Sequence, residues 1–346
     1  MSTSVFDLPA PRLLAARDQS ERRRLEWFYT EVVVHLVTFP VDHALAIAEH
    51  HITHHGVPEA ASLSEMRQVA CTVNADTGEG WLARGFRLTE DAVPLRLPLP
   101  EIGGRMPVAA LRNVYLRADV TTDLGETVTE YEAALAGELA ARRRQVTSVT
   151  RESTEHYRRL TAELPLEHPE LLGNLWRIGL VADLVDDDAP LEDLLVSAHN
   201  RRPFITPVSP GMTLDEAWYT LPLQRSLGDR AMTTICDTLI YALSRPVWRW
   251  TSPDHIHRIG GKHPWAHDCA AYVLCGRLGI AHRPTGHGRK WWGHYEDPAS
   301  SFDPSPGGDR SLERLKLDWD VAFRRTGQAE VVLRGEAGVA AAGQGR

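Results

Sequence analysis

Apolar residues recur at helical spacing along much of the chain. Over residues 11–38, Leu25, Phe28, Val32 and Leu36 fall on one face and follow a charged patch at Arg22 to Arg24. That pattern predicts an amphipathic helix. A second helix is predicted over Val41 to His55, stopped by Gly56 with Pro58 just beyond. Residues 66–122 then change character. Val69 to Val73, Leu95 to Leu99 and Val114 to Val120 predict strands, separated by DTGEG, PLPEIGG and short loops. Residues 126–164 are a long polar helical stretch placed to connect two domains, and Glu167 to Leu184 predicts another helix. The acidic DDDAP and a mixed, Pro-rich 190–228 follow. Asp229 to Ser244 and Pro264 to Leu278 predict apolar helices, and 311–325 a last amphipathic one. The fold class is therefore α+β in two parts. Residues 1–125 form a small mixed α/β domain, 126–330 a mainly helical domain, and 331–346 a disordered tail.

Charge narrows the partners. The chain has 346 residues and a net charge of -8. A general electrostatic nucleic-acid binder is basic overall, so contact with nucleic acid would need a local patch. No apolar run reaches the roughly 18 residues of a membrane span, and MSTSVFDLPAPR lacks the basic and apolar segments of a secretory signal. The four cysteines, Cys71, Cys236, Cys269 and Cys275, show no CxxC spacing. They read as reduced thiols of a cytoplasmic protein without a membrane partner.

Two segments concentrate chemistry. EHHITHH sets His50 with His54, and His51 with His55, one helical turn apart. Two imidazoles at that spacing can share a metal. The plainer account is histidine favoured by the dipole at a helix C-terminus. Between His255 and His294, HPWAHD places His263 and His267 one turn apart with Asp268 adjacent, a two-histidine, one-carboxylate constellation that would suit zinc. HExxH, whose glutamate polarises the zinc-bound water of helical metallopeptidases, occurs nowhere. Nor does any serine-hydrolase or phosphate-loop motif. RPTGHGRKWWGHYEDP combines Arg289 and Lys290 with Trp291 and Trp292. Cations beside aromatic planes suit a single strand, which offers phosphates and stackable bases. A tryptophan pair anchoring a Gly-rich loop explains the same residues structurally.

Two further segments resemble one family, in its order. GWLARGFRLTEDAVPLRLPLP (80–100) followed by LRNVYLRADVTTD (111–123) is similar to the N-terminal domain of ArdC-type antirestriction proteins. Trp81, Gly85, Pro100, Val114, Tyr115, Asp119 and Thr122 fit its frame. The family's Lys/Gly-rich turn is here Thr89-Glu90-Asp91, which removes positive charge. AHDCAAYVLCGRLGI (266–280) resembles a helix of the ImmA/IrrE-like zinc-peptidase domain that follows in ArdC proteins. Asp268 falls where the third zinc ligand stands. AMTTICDTLIYAL (231–243) falls where the HExxH helix stands, with Cys236 for the first His, Asp237 for the Glu and Ile240 for the second His. The resemblance implies a zincin-like second domain whose active site is degenerate, and no catalytic residue.

Three functions follow from these residues. The first is a non-enzymatic, antirestriction-like binding protein of a mobile element, contacting single-stranded DNA or a DNA-handling protein through Trp81, Arg289, Lys290, Trp291 and Trp292. The second is a metal-dependent hydrolase, a peptidase with ligands drawn from Cys236, His263, His267 and Asp268. The third is a protein-interaction module with neither property.

Overall fold

A computed structural model describes residues 19–100, 109–122, 125–146, 151–178, 180–185, 219–243, 264–283 and 319–335. The chain divides into two compact units, Met1–Arg143 and Arg144–Arg346. Both are mostly helical with small sheets, an α+β composition. Among the described residues no helix is long and apolar enough to cross a membrane.

The first unit is built around α1 (Gln19–His35). Leu25, Phe28, Val32 and Leu36 are buried as their spacing predicts. Trp27, Tyr29, Val33 and Val34 are buried too. A helix apolar on most sides is enclosed by its neighbours, and here α2 (Val41–His55) and α3 (Leu63–Thr72) pack against it. Gly56 ends α2 with a φ of 83°, which a side chain would oppose.

Helix α3 replaces the strand expected at Val69 to Val73. Its start explains the difference. Ser62 Oγ accepts from the Glu65 amide at 3.2 Å, while Glu65 Oε2 accepts from the Ala61 amide at 2.7 Å. Ser62 thus satisfies a donor that a helix start leaves open, and Glu65 reaches back to the residue before the cap.

The sheet follows. β1 (Ala75–Thr77), β3 (Leu95–Pro100) and β4 (Ala109–Leu116) pair antiparallel in the order β1-β4-β3. Leu95 faces Val114 and Pro100 faces Ala109. The short α4 (Gly78–Ala83) stands where DTGEG predicts only a loop, and Thr77 Oγ1 caps it on the Gly80 amide at 3.1 Å. β2 (Arg87–Leu88) pairs with β5 (Val120–Thr121), which follows a short 3-10 turn at Arg117–Asp119. Strand β4 thus ends earlier than the predicted Val120.

Helix α5 (Gly125–Arg144) corrects the domain boundary. Its Tyr131 is buried against Trp81, Phe86 and Val120, with Leu135 packed beside them. The first unit therefore runs to Arg143 rather than 125. The long polar stretch is two helices, α5 and α6 (Arg151–Glu163), that fall in different units.

In the second unit, Pro169–Ile178 forms 3-10 turns and β6 (Leu180–Val185) pairs parallel with β7 (Tyr219–Gln224). The helix expected over Glu167 to Leu184 is absent. The pairing secures Leu180–Val185 as strand, and His156 Nε2 adds a bond to Ala182 O at 2.8 Å. α7 (Ala231–Leu243) and α8 (Pro264–Leu278) form where predicted and pack together. A π-helical turn at Asp320–Arg325 leads into α9 (Thr326–Arg334). Val332 and Leu333 of α9 are buried, so the tail expected from 331 begins inside the core.

Arg277, Glu330 and Arg334 form a buried ionic network between α8 and α9. Glu330 meets Arg277 Nε at 2.6 Å and Arg334 Nε at 2.9 Å. Arg334 also donates to Arg277 O at 3.0 Å and to Gln145 O at 3.1 Å. Asn174 Nδ2 donates to Leu333 O at 2.9 Å and ties α9 to the 3-10 turns.

Candidate functional site

Trp81, Gly85, Tyr115, Asp119 and Thr122 interlock in the first unit. Trp81 sits on α4 and is fully buried. Its Nε1 donates to Tyr115 O on β4 at 2.9 Å. Its ring meets Phe86 edge-on at 5.4 Å and Tyr131 at 5.4 Å between centroids. Gly85 has a φ of 81°, and its carbonyl accepts from Thr122 Oγ1 at 3.3 Å. Asp119 is buried and accepts from the Leu116 amide at 3.0 Å, closing the turn between β4 and β5. These residues fasten α4, β4 and β5 to one another.

The expected role of Trp81 as a stacking platform is corrected by this geometry. A base needs an open ring face, and Trp81 is enclosed by its aromatic neighbours. Arg289, Lys290, Trp291 and Trp292 lie outside the described residues.

Of the predicted ligand set in the second unit, only Cys236 has a described side chain. Cys236 on α7 and Cys275 on α8 are fully buried and hydrogen-bonded to each other. That bond, burial and the Asp237 charge hold the Cys236 thiol well above its ordinary range, so it stays protonated. Asp237 is half-buried, and desolvation raises its carboxyl to about 7. Ile240, one turn further along α7, is fully buried and apolar. His267 and Asp268 fall on the first turns of α8, but only their backbone is described, and His263 lies outside the described residues. Among the described residues no three His, Cys, Asp or Glu side chains converge to hold a metal ion.

Sequence spacing alone does not single out Cys275 as the partner of Cys236. It stands in the segment LCGRLGI, seven residues beyond Asp268 and so near the same helix face.

The first unit holds a second Cys–His contact. Cys71 Sγ lies 3.0 Å from His35 Nε2 and 3.5 Å from its Nδ1, and Glu31 Oε2 lies 3.8 Å from the same Nε2. A nucleophilic triad needs the acid on the ring nitrogen away from the sulfur, and here both meet Nε2. Burial and Glu31 raise the Cys71 thiol, while burial, Arg143 and Arg67 lower His35 to about 4. Both groups are neutral at pH 7, so the thiolate required of a nucleophile is not favoured.

A cavity of about 180 Å³ opens beside His51, lined also by Thr72, Val73, Asn74, Leu116 and Arg117. Compared with protein-family models, with curated proteins and with solved structures, the chain matches none.

Proposed function

We propose that the chain is a non-enzymatic binding protein of ArdC-like build, acting for a mobile element on single-stranded DNA or on a protein that handles it. The observation that carries this is the interlocked frame of Trp81, Gly85, Tyr115, Asp119 and Thr122. Five of the residues on which the resemblance rests help to fasten the unit's elements together. Support for the non-enzymatic part comes from α7. A zincin-like helix needs two imidazoles one turn apart, and these positions hold a protonated thiol and a buried isoleucine.

Because Trp81 is enclosed, nucleic-acid contact is assigned to Arg289, Lys290, Trp291 and Trp292. Stacking supplies on the order of 1–3 kcal/mol per base without sequence preference. Few cations release few counterions, so binding should weaken only gently with salt. Fluorescence anisotropy with a labelled single strand at low salt tests this. Binding in the micromolar range, stronger than to duplex and lost on joint Trp291→Ala and Trp292→Ala substitution, is expected. No binding would leave a protein-interaction module as the better account. Cleavage of unstructured peptides with added zinc, abolished by Asp237→Ala, would move the assignment to a metal-dependent hydrolase.

A further inference from the structure

We propose that His50 and His54, one turn apart at the C-terminal end of α2, chelate a divalent late transition-metal ion. The site is independent of the DNA reading and of the α7–α8 residues.

The two ring centroids stand 4.4 Å apart at 56°. Metal–imidazole bonds of about 2.0–2.1 Å place two donor nitrogens on one ion no more than about 4 Å apart. Ring centroids 4.4 Å apart put the two imidazoles within the reach of one ion. The i,i+4 spacing holds both side chains on one face of a regular helix, so little ordering is left to the ion.

The hydrogen bonding of His50 is that of a ligand. Its Nε2 lies 3.0 Å from Val93 O. A carbonyl only accepts, so Nε2 carries the proton and Nδ1 keeps its lone pair. Metal-bound histidines commonly have their other ring nitrogen anchored to an oxygen in this way, which fixes tautomer and ring orientation. Beside it, His55 Nε2 lies 3.2 Å from Asp119 Oδ1, and the His51 and His55 rings stand 5.2 Å apart.

The surroundings favour a cation. The turn lies at the negative end of the α2 dipole. The buried Asp119 carboxylate acts on His50 as well as His55. Burial lowers His50, so the ring is neutral and available as a ligand at pH 7. Since no three donors converge among the described residues, water completes the coordination. Imidazole ligands select Cu2+, Ni2+ and Zn2+ over Mg2+ and Mn2+.

The test is calorimetric titration of the full chain with Ni2+, which does not oxidise thiols, in a non-chelating buffer near pH 7.5. One equivalent should bind more tightly than Mn2+. Either His54→Ala or His50→Gln should weaken that equivalent at least about tenfold, whereas His168→Ala should leave it unchanged. Because His54 is exposed, His54→Ala tests chelation even where His50→Gln disturbs the contact with Val93. Mass spectrometry after diethyl pyrocarbonate treatment locates the ion, and Ni2+ should protect His50 and His54 together. A titration unchanged by His54→Ala, or protection of His50 that survives it, would overturn the proposal.

Discussion

Gly80 shows how one missing side chain shapes the first unit. A Cβ at this position would lie 2.3 Å from Asp76 Oδ1 and 2.4 Å from its Cγ. Asp76 cannot simply move aside. Its Oδ1 accepts from the Thr77 amide at 2.7 Å, and its Oδ2 holds Arg84 Nη1 at 2.8 Å. Gly80→Ala should therefore cost about 1–3 kcal/mol, as forced overpacking does. Urea unfolding measures it, and Asp76→Ala in the same chain should recover part of the loss, because contacting residues couple. The same scale marks a limit of the sequence. Trp81 is legible as a large aromatic residue, but the letter W does not say whether its ring faces solvent or core. That depends on Phe86 and on Tyr131, fifty residues downstream.

At the scale of elements, helices with strong local signals were readable. Val41–His55 ends at its Gly56, and Pro264–Leu278 begins at its proline. Errors arose where local preference and capping disagreed. The β-branched run near Val69 to Val73 favours strand, and the cap at Ser62 and Glu65 wins. Strand β6 was unreadable for a different reason, since its partner Tyr219–Gln224 is distant in sequence. The partner of Cys236 is not legible in the sequence, because it is Cys275 on another helix. The junction of α8 and α9 yields a test. Burial would raise the Glu330 carboxyl, but Arg277 and Arg334 overcome this and hold it below its ordinary value. Glu330→Gln would leave two buried guanidinium groups without their anion. A loss of about 3–5 kcal/mol is expected, measured by denaturant unfolding.

For the whole molecule, acid should act on the two units unequally. In the first, burial pushes His35 and His51 from 6.5 down to about 4. A histidine with a depressed pKa contributes stability above 6.5 that is lost as pH falls toward 4. In the second unit His282, also lowered to about 4 by burial, acts in the same sense. Asp237 opposes it, because a carboxyl raised from 3.8 to about 7 loses stability as pH rises through that window and regains it on acidification. Between pH 7 and 5 the first unit should lose more stability than the second. Calorimetry at the two pH values would show this as a larger downward shift of one transition, and equal shifts would contradict it. The placement of α5 has a consequence for synthesis. The ribosome delivers Trp81 and Phe86 well before Tyr131, the residue that closes over both. Until α5 has cleared the exit tunnel, the nascent first unit carries an open aromatic surface of the kind that chaperones shield. Folding of this unit is therefore timed by its last helix, although most of its other elements are already outside.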